Sequence, residues 1–285
     1  MVEFKNKNVL ITGASRGIGY DIAKEFLLNG ANIIICSQNQ KKIKNAFKKL
    51  DILKKDYQKI FYKEVDISST NQIKKFIKSS IKKFKRIDIL VNNAGIYGPK
   101  GEIENVNWSK WIKAIEVNLL GSVFFAKELI THFKKNNFGR IIQLSGGGVA
   151  GPLPRISAYA ASKIAVVRFM EGLSKEVEDY NIKVNTVAPG AINTDMLKEI
   201  LKSGPKKIGK HYFEKALIQK SKGGTSSKDV CNLVMLLSST YNLNISGKIL
   251  HAKWDDWKNL SKYEKVLSET DIYTLKRVSP SDRGF

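Results

Sequence analysis

The sequence predicts an α/β fold: a single doubly wound parallel sheet of about seven strands, with helices on both faces. Short apolar runs rich in branched residues, which are typical of buried strands, recur along the 285-residue chain. Longer segments with apolar residues at helical spacing lie between these runs. Strands that alternate with helices pair in parallel, because each helix returns the chain to the same edge of the sheet.

The predicted elements follow one another in regular order. Strands are expected over 7–12, 31–36, 59–65, 87–91, 139–144 and 182–187. Helices are expected over 20–30, 41–54, 71–84, 108–133 and 158–180. Ligands bind beyond the carboxyl ends of the strands in such a sheet, so the residues that follow each strand are the candidates for a site.

Three glycines, Gly13, Gly17 and Gly19, lie between the first strand and the first helix. Glycines permit a tight turn there and let the backbone approach a pyrophosphate, which sits at the positive end of the helix. A glycine triplet alone is weak evidence, but these glycines have a strand before them and a helix after them. The segment therefore predicts a dinucleotide-binding loop.

The residues after the second strand indicate which dinucleotide would bind. An acidic residue at that position would bind the ribose 2′-hydroxyl of NAD. Here Ser37, Gln38 and Asn39 are neutral, and Arg16 in the glycine loop could meet a 2′-phosphate. The alternative for Arg16 is an ordinary surface arginine. The pattern favours NADP as the cofactor and leaves NAD as the other possibility.

Tyr159 and Lys163 are four residues apart, which places them on one face of the helix predicted over 158–180. A free tyrosine has a pKa of about 10, and a nearby cation lowers that pKa because it favours the phenolate. The pair is therefore a candidate general acid/base. Tyrosine and lysine also fall at this spacing by chance, so the pair gains its weight from the rest of the chain.

Composition limits the function classes. The formal net charge of +23 would suit a nucleic acid or an anionic surface, but the lysines are scattered along solvated helix faces, so a nucleic-acid partner is not expected. No apolar run could span a membrane, and the start has no signal-peptide pattern. Cys36 and Cys231 fit neither a disulfide framework nor a metal site. We therefore expect a cytoplasmic protein with no metal.

Four motifs in order resemble the short-chain dehydrogenase/reductase family, over about residues 5–250. They are TGASRGIG at 12–19, NNAG at 92–95, YAASK at 159–163, and Pro189-Gly190 followed by Thr194. The resemblance implies a Rossmann-like domain over 1–250, with 195–225 as its substrate loop and 251–285 as a C-terminal extension, expected to be helical. It also implies a homo-oligomer, either a dimer or a tetramer.

The resemblance assigns roles to particular residues. Tyr159 would exchange a proton with the substrate oxygen, Lys163 would lower the tyrosine pKa and bind the nicotinamide ribose, and Asn118 would hold a water that links Lys163 to solvent. Asp66 would face the adenine, and Ile192 and Thr194 would contact the carboxamide. The full set expected at the cofactor is Gly13, Ser15, Arg16, Gly17, Ile18, Gly19, Ser37, Asp66, Ile67, Asn93, Ala94, Gly95, Tyr159, Lys163, Pro189, Gly190, Ile192 and Thr194.

The sequence departs from the family pattern at two places. Gly146 occupies the position of the usual catalytic serine, and Ser145 is one residue early. Three groups could replace the serine hydroxyl: Ser145, a backbone N–H of residues 146–148, or a donor on the substrate loop. The second departure is the tail, which lacks the usual Asp-Gly-Gly end. There, Trp254, Trp257, Leu260, Tyr263 and Leu267 predict one apolar stripe on a helix.

The leading interpretation is an NADP-dependent oxidoreductase that interconverts a carbonyl and a secondary alcohol. The alternative is a catalytically weak or inactive NADP-binding sensor or scaffold, which Gly146 favours and the Tyr159–Lys163 pair opposes. The substrate is expected to be a small molecule. Basic residues in the substrate loop would suit an anionic one, although general lysine richness explains them equally well; they are Lys198, Lys202, Lys206, Lys207, Lys210, His211 and Lys215.

Overall fold

Seven parallel strands form one sheet in the computed structural model, which describes residues 4–239 and 244–284. The strands are β1 (Asn8–Thr12), β2 (Asn32–Ser37), β3 (Ile60–Glu64), β4 (Ile89–Asn92), β5 (Gly139–Leu144), β6 (Ile182–Ala188) and β7 (Ile249–His251). Their order in the sheet is β3-β2-β1-β4-β5-β6-β7. The chain reverses direction across the sheet between β1 and β4, which opens a crevice at their carboxyl ends. The predicted fold class is confirmed.

Ten α-helices in the described residues surround the sheet. They are α1 (Gly17–Leu28), α2 (Gln40–Asp51), α3 (Thr70–Phe84), α4 (Trp108–Ile115), α5 (Gly121–Lys135), α6 (Ser157–Glu176), α7 (Asp195–Ile208), α8 (Lys210–Lys222), α9 (Ser227–Ser238) and α10 (Leu260–Glu269). None of these helices is long and apolar enough to cross a membrane.

The strands bury side chains on both faces, because helices cover the sheet on either side. In β2, Ile33 and Ile35 pack into the core beneath α1 and α9, whereas Ile34 packs into the core beneath α3, α5 and α6. Alternation along a strand produces this division. It explains why β2 is an uninterrupted apolar run rather than an alternating one.

The long helix predicted over 108–133 contains a π-helical turn. α4 leads into the turn Glu116–Leu120, which leads directly into α5. Asn118 lies inside this turn and is fully buried. Such turns insert one extra residue into a helix and are frequent at functional sites. The hydrophobic periodicity gives the helix but not this local change.

The tail only partly matches the predicted stripe. Trp257, Leu260 and Leu267 are buried in the core beneath α1 and α9, and α10 begins only at Leu260. Trp254 therefore lies before the helix, where it is 74% exposed and stacks on His251, and Tyr263 is also exposed. Beyond α10 the chain runs beside β7, where the Ile249 N–H donates to the Tyr273 carbonyl at 2.7 Å.

Candidate active site

A cleft of about 640 Å³ lies at the carboxyl ends of the strands, around the point where the strand order reverses. Most of the predicted cofactor residues line it: Gly13, Ser15, Arg16, Gly17, Ile18, Gly19, Ser37, Asp66, Ile67, Asn93, Ala94, Gly95, Ile192 and Thr194. Tyr159, Lys163, Pro189 and Gly190 lie outside its lining. The structure thus gathers one group of predicted residues in the cleft and leaves a second group beside it.

The glycine loop is held by the end of β4. Asn93 Nδ2 donates to the carbonyls of Thr12 and Gly13 at 2.9 and 3.2 Å, and its backbone N–H donates to Thr12 Oγ1 at 3.0 Å. Gly13 has a φ of +67°, and a Cβ atom there would lie 2.8 Å from the Cα of Ala94. Only glycine fits both conditions. Asn93, which was expected among the residues at the cofactor, therefore lines the cleft and also holds the glycine loop in place.

The cleft fits a dinucleotide. The first turn of α1 opens onto it, and Gly17, with a φ of +56°, leaves the helix N-terminus free of side-chain cover. Thr225 also lines the cleft, and its buried Oγ1 has no hydrogen-bond partner in the described part of the chain. An unpaired buried hydroxyl beside such a loop suits a polar ligand. The sequence reading missed Thr225, which no motif marks.

Pro189 and Gly190 shape the wall of the cleft from behind. Gly190 has a φ of +75°, and a Cβ atom there would overlap Thr225 Oγ1. The Thr225 N–H donates to the Ala191 carbonyl at 2.7 Å. The Pro189-Gly190 turn thus positions Thr225 as well as Ile192 and Thr194, which line the cleft.

Near the end of β2, the cleft is lined by both neutral hydroxyl groups and charged side chains. Ser37 Oγ donates to Ser15 Oγ at 3.1 Å, and Arg16 forms an exposed ion pair with Asp195 at the start of α7. Asp66 accepts hydrogen bonds from Ser68 at 2.7 Å and from Lys113 at 3.1 Å. Burial raises the pKa of Asp66, but these hydrogen bonds outweigh burial, so the pKa is lowered and Asp66 is a stable anion.

Tyr159 and Lys163 are both buried on α6, with exposed fractions of 7% and 3%. Lys163 Nζ lies 5.7 Å from the centroid of the Tyr159 ring and donates to the Leu144 carbonyl at 2.9 Å. Burial raises the pKa of Tyr159 and lowers that of Lys163 to about 8. Burial thus dominates the pKa of Tyr159 while Lys163 Nζ bonds the Leu144 carbonyl, and the expected effect of the lysine on the tyrosine stays a prediction.

Asn118 ties three elements together. Its Oδ1 accepts from the Ile96 N–H at 2.8 Å, and its Nδ2 donates to the Ile96 carbonyl at 2.9 Å and to Ser162 Oγ at 2.8 Å. Gly95 fits between Asn118 and Lys163: a Cβ atom there would lie 3.2 Å from Asn118 Oδ1 and 3.4 Å from Lys163 Nζ. Because Gly95 lines the cleft, Asn118 and Lys163 adjoin it directly behind this glycine.

Gly146 is a glycine for a steric reason. A Cβ atom there would lie 2.8 Å from Tyr159 Cζ and would overlap the tyrosine hydroxyl. The phenol occupies the space that a serine side chain would need. Ser145, the residue before it, is buried, and its Oγ has no hydrogen-bond partner within residues 4–239 and 244–284. The structure leaves its catalytic role a prediction.

Helices α7 and α8 cover Tyr159 with apolar side chains. The cluster comprises Ile156, Tyr159, Leu197, Ile200, Ile208 and Ala216, with Tyr97, Leu153, Met196, Leu201, Tyr212 and Phe213 at its border. The basic residues of the segment, which favour an anionic substrate in the sequence, are all exposed. The side that faces the tyrosine is apolar and aromatic. The sequence analysis did not include Tyr97 and Tyr212 among the site residues. For Tyr97, the available signal was its position two residues after the NNAG motif; Tyr212 lies in no motif.

Sequence comparisons find similar proteins over most of the chain. The profile of the family described as short chain dehydrogenase matches residues 7–204. The oxidoreductase BOA17 of Botryotinia fuckeliana is 30% identical over 271 residues, which cover 88% of this chain and 96% of that protein. The 3-oxoacyl-[acyl-carrier-protein] reductase FabG of Chlamydia muridarum is 36% identical over 195 residues, or 68% of this chain and 77% of that protein.

Solved structures share the fold. A xylitol dehydrogenase bound to NAD⁺ superposes with a TM-score of 0.79 at 23% identity, covering 87% of this chain and 98% of that one. A 7α-hydroxysteroid dehydrogenase complexed with NADH and 7-oxo glycochenodeoxycholic acid superposes with a TM-score of 0.73 at 26% identity, covering 87% of this chain and 93% of that one.

Proposed function

Because this chain belongs to the short-chain dehydrogenase/reductase family, we propose that it is an NADP-dependent oxidoreductase in which Tyr159 and Lys163 carry the acid–base chemistry. The family places it among oxidoreductases that interconvert carbonyls and alcohols with a nicotinamide cofactor. The observation that carries the proposal is the meeting of Lys163 Nζ, Asn118 Oδ1 and Gly95 at the wall of the dinucleotide cleft.

The cofactor would supply or accept the hydride. Gly13, Gly17 and Gly19 would let the backbone approach its pyrophosphate at the start of α1. Thr225 Oγ1, which is buried and unpaired, is a further candidate ligand. Ser37 supplies no carboxylate at the adenosine end, and Arg16 lies at the cleft mouth, where it could exchange Asp195 for a phosphate. These two residues support NADP over NAD.

Tyr159 would donate a proton to the developing alkoxide during reduction and accept it during oxidation. Lys163, with a pKa near 8, can hold or release a proton near neutral pH. Asn118 fixes the position of α6 relative to the loop after β4 through Ser162 and Ile96. It therefore keeps Lys163 beside the cleft rather than acting on the substrate itself.

We further propose that 195–225 is the substrate-binding segment of a catalytic domain over 1–250, with 251–285 as an extension. Leu197, Ile200 and Ile208 face Tyr159, so the substrate should be a small apolar carbonyl or alcohol rather than an anion. The exposed lysines of this segment would remain in solvent.

We also propose that the protein is a cytoplasmic homo-oligomer. Exposed apolar side chains would suit an interface between copies of this chain; they are Trp108 and Ile112 on α4, Leu120 at the end of the π-helical turn, and Ile164 on α6. The free, buried thiols of Cys36 and Cys231 would suit the reducing cytoplasm.

Two observations favour a different class of protein. Tyr159 is covered by α7 and α8, and Gly146 offers no hydroxyl, as in a cofactor-binding sensor that has lost turnover. An NADPH oxidation assay across aromatic and aliphatic ketones, with NADPH binding followed by fluorescence, separates the two. Turnover of an apolar ketone supports the enzyme. Tight NADPH binding without turnover of any ketone supports the sensor.

A further inference from the structure

A basic surface with exposed apolar side chains lies at the amino ends of the strands, at the edge of the sheet opposite the cleft. Because the strands are parallel, every loop that leads into a strand reaches this edge, and the loops before β3, β2, β1 and β4 are neighbours there. Together with the helix ends that precede them, these loops form what we call the amino-edge surface. Its basic and apolar members, all exposed or half-buried, are Lys5, Lys7, Leu28, Lys48, Lys49, Ile52, Leu53, Lys54, Lys55, Tyr57, Lys59, Lys85 and Arg86.

Two aliphatic side chains project from this surface just after α2. Ile52 is 84% exposed, and Leu53 beside it is 38% exposed; we call this pair the apolar tip. The loop that follows is fixed to the end of α1, because the buried Gln58 donates to the Leu27 and Ala31 carbonyls, both at 2.7 Å. The exposure of the apolar tip is therefore a property of the fold.

Lysines flank the apolar tip along the chain and outnumber the acidic residues there. Asp51 pairs with Lys54 at 2.6 Å, and Asp56 is the other acid between residues 48 and 59. The remaining lysines of this stretch form no ion pair within residues 4–239 and 244–284; they are Lys48, Lys49, Lys55 and Lys59.

Only part of this positive charge is explained by the helices. Lys48 and Lys49 lie in the last turn of α2, where lysines complement the negative end of the helix dipole. Lys55 and Lys59 lie beyond the helix and before β3, so no helix end requires them. Lys5, in the loop before β1, places its Nζ 5.7 Å from the centroid of the Tyr57 ring and adds a further cation from a different loop.

Three more cations gather around one aromatic ring on the same edge. Lys7 Nζ lies 4.2 Å from the centroid of the Phe138 ring, and the guanidinium carbons of Arg140 and Arg86 lie 4.4 and 5.3 Å from it. Burial lowers the pKa of Lys7, Asp88 opposes this effect, and the two arginines add to it. In the part of the chain that the structure describes, Asp88 is the carboxylate that pairs with this group, through Arg86 at 2.7 Å. The group therefore keeps a net positive charge.

We propose that the amino-edge surface binds an anionic phospholipid membrane, with Ile52 and Leu53 inserted among the headgroups and the surrounding lysines at the lipid phosphates. Each lysine near an anionic leaflet strengthens binding, and the aliphatic pair gains from a partner that removes it from water. A nucleic acid would offer negative charge but no apolar layer. A second copy of this chain would present the same positive charge and be repelled.

This binding would be peripheral, because no helix of the described residues could cross a membrane. The cleft and the amino-edge surface lie at opposite edges of the sheet, so the cleft would face away from the lipid. The inference goes beyond the proposed function and does not depend on it, since neither the apolar tip nor its lysines line the cleft.

The test measures co-sedimentation of the full chain with vesicles of phosphatidylglycerol and phosphatidylcholine. The double variant Lys49→Gln, Lys55→Gln should weaken binding by about 10–30-fold, at about fivefold for each lysine. Ile52→Ser should weaken it by about tenfold, the scale of one aliphatic side chain that stays in water. Vesicles of phosphatidylcholine alone should not bind the protein, and NADPH affinity should be equal in all variants.

Matched controls come from α10, which carries exposed side chains of the same kinds. The double variant Lys262→Gln, Lys265→Gln and the single variant Val266→Ser should bind the vesicles as the wild type does. These controls separate a specific surface from general lysine richness. Raising the salt concentration from about 0.05 M to about 0.5 M should remove most of the effect of the lysine variant but keep that of Ile52→Ser, because salt screens only the charges.

A second readout reports insertion directly. Cys36 and Cys231 are buried, so a thiol-reactive, environment-sensitive fluorophore added to Ile52→Cys labels position 52. Its emission should shift to the blue when vesicles that contain phosphatidylglycerol are added, whereas the same label on Val266→Cys should not shift.

A folded wild type that does not bind the anionic vesicles overturns the inference. Equal vesicle binding by Ile52→Ser, the Lys49/Lys55 double variant and the α10 controls overturns it too. If the protein instead binds a DNA duplex of about 20 base pairs, with a steep salt dependence that Ile52→Ser does not change, the surface belongs to a nucleic acid and the membrane assignment is wrong. None of these outcomes affects the proposed oxidoreductase activity, which NADPH turnover measures separately.

Discussion

The glycine-loop side of the cleft, which is the proposed cofactor half of the site, and the region around Tyr159, which is the proposed substrate half, are built from different kinds of contact. Around the glycine loop, the Asn93 side chain donates to the main-chain carbonyls of Thr12 and Gly13, and Gly13 admits Ala94 at close range because it has no Cβ. Around Tyr159, the contacts are made by side chains from separate stretches of the chain, including Tyr97 and Tyr212. Positions where only glycine fits leave motifs in a sequence, whereas the apolar cluster around Tyr159 tolerates many residues and leaves no motif beyond YAASK at 159–163.

The largest expected effect tests the substrate half directly. Tyr159→Phe removes one hydroxyl from a ring that stays packed, so NADPH affinity and fold should persist while turnover falls by about 10²–10⁴-fold. Steady-state kinetics with an apolar ketone, alongside the exposed control Tyr57→Phe, measure it. A Tyr159→Phe variant as active as the control would remove the tyrosine from the mechanism.

The second prediction concerns the pH dependence of stability that Lys163 causes. Its pKa of about 8 lies below the ordinary lysine value of 10.5, because the side chain is buried. Between these values the unfolded chain binds more protons than the folded one, so the stability contributed by Lys163 rises with pH. From pH 7.5 to pH 10, the unfolding free energy of the wild type should rise by about 2 kcal/mol relative to Lys163→Met.

Denaturant unfolding of both proteins at each pH gives this difference, and other titrating groups cancel in it. Lys175→Met, at an exposed lysine on the same helix, should show no such trend. If the difference in unfolding free energy between the wild type and Lys163→Met did not change with pH, Lys163 would be solvated. The region around Tyr159 would then contain more water than its packing indicates.

Gly146→Ser tests whether the phenol acts from where the structure places it. The added Cβ would overlap the Tyr159 hydroxyl, so the ring must move. Because a displacement of about 1 Å can cost about 10²-fold, we expect kcat to fall by that order. Gly147→Ser is the matched control, since its Cβ would meet only Leu153 Cδ2, at an ordinary 3.5 Å. Equal activity in the two variants would place the reactive phenol elsewhere.

The next test concerns the proposed cofactor half. Arg16→Ala should weaken NADPH binding by about 1–3 kcal/mol, as for a lost charge-assisted contact, and leave NADH unchanged. Asp195→Asn removes the competing partner of Arg16 and should tighten NADPH by about fivefold at most, the scale of an exposed ion pair. Fluorescence titration with both cofactors measures this. Equal losses for NADPH and NADH in Arg16→Ala would end the 2′-phosphate role.

The sequence was sufficient for the fold and for most of the residues that line the cleft, because each apolar strand and each obligatory glycine is a local signal. It was insufficient where distant residues meet. Arg16 and Asp195 are 179 positions apart, and no pattern links them. The sequence reading also considered only the effect of Lys163 on the pKa of Tyr159, and not the burial that raises this pKa. Desolvation depends on packing, which a linear pattern does not contain.

The chain beyond α10 has a consequence for how the protein behaves at high concentration. β7 is the last strand of the sheet, and its free edge would otherwise be a template for a strand of another molecule. Tyr273 occupies that edge by accepting the Ile249 N–H, and Thr270 accepts a hydrogen bond from Lys248 Nζ at 2.6 Å. The tail thus covers part of the β7 edge, so fewer backbone groups are left there for a strand of another molecule to pair with.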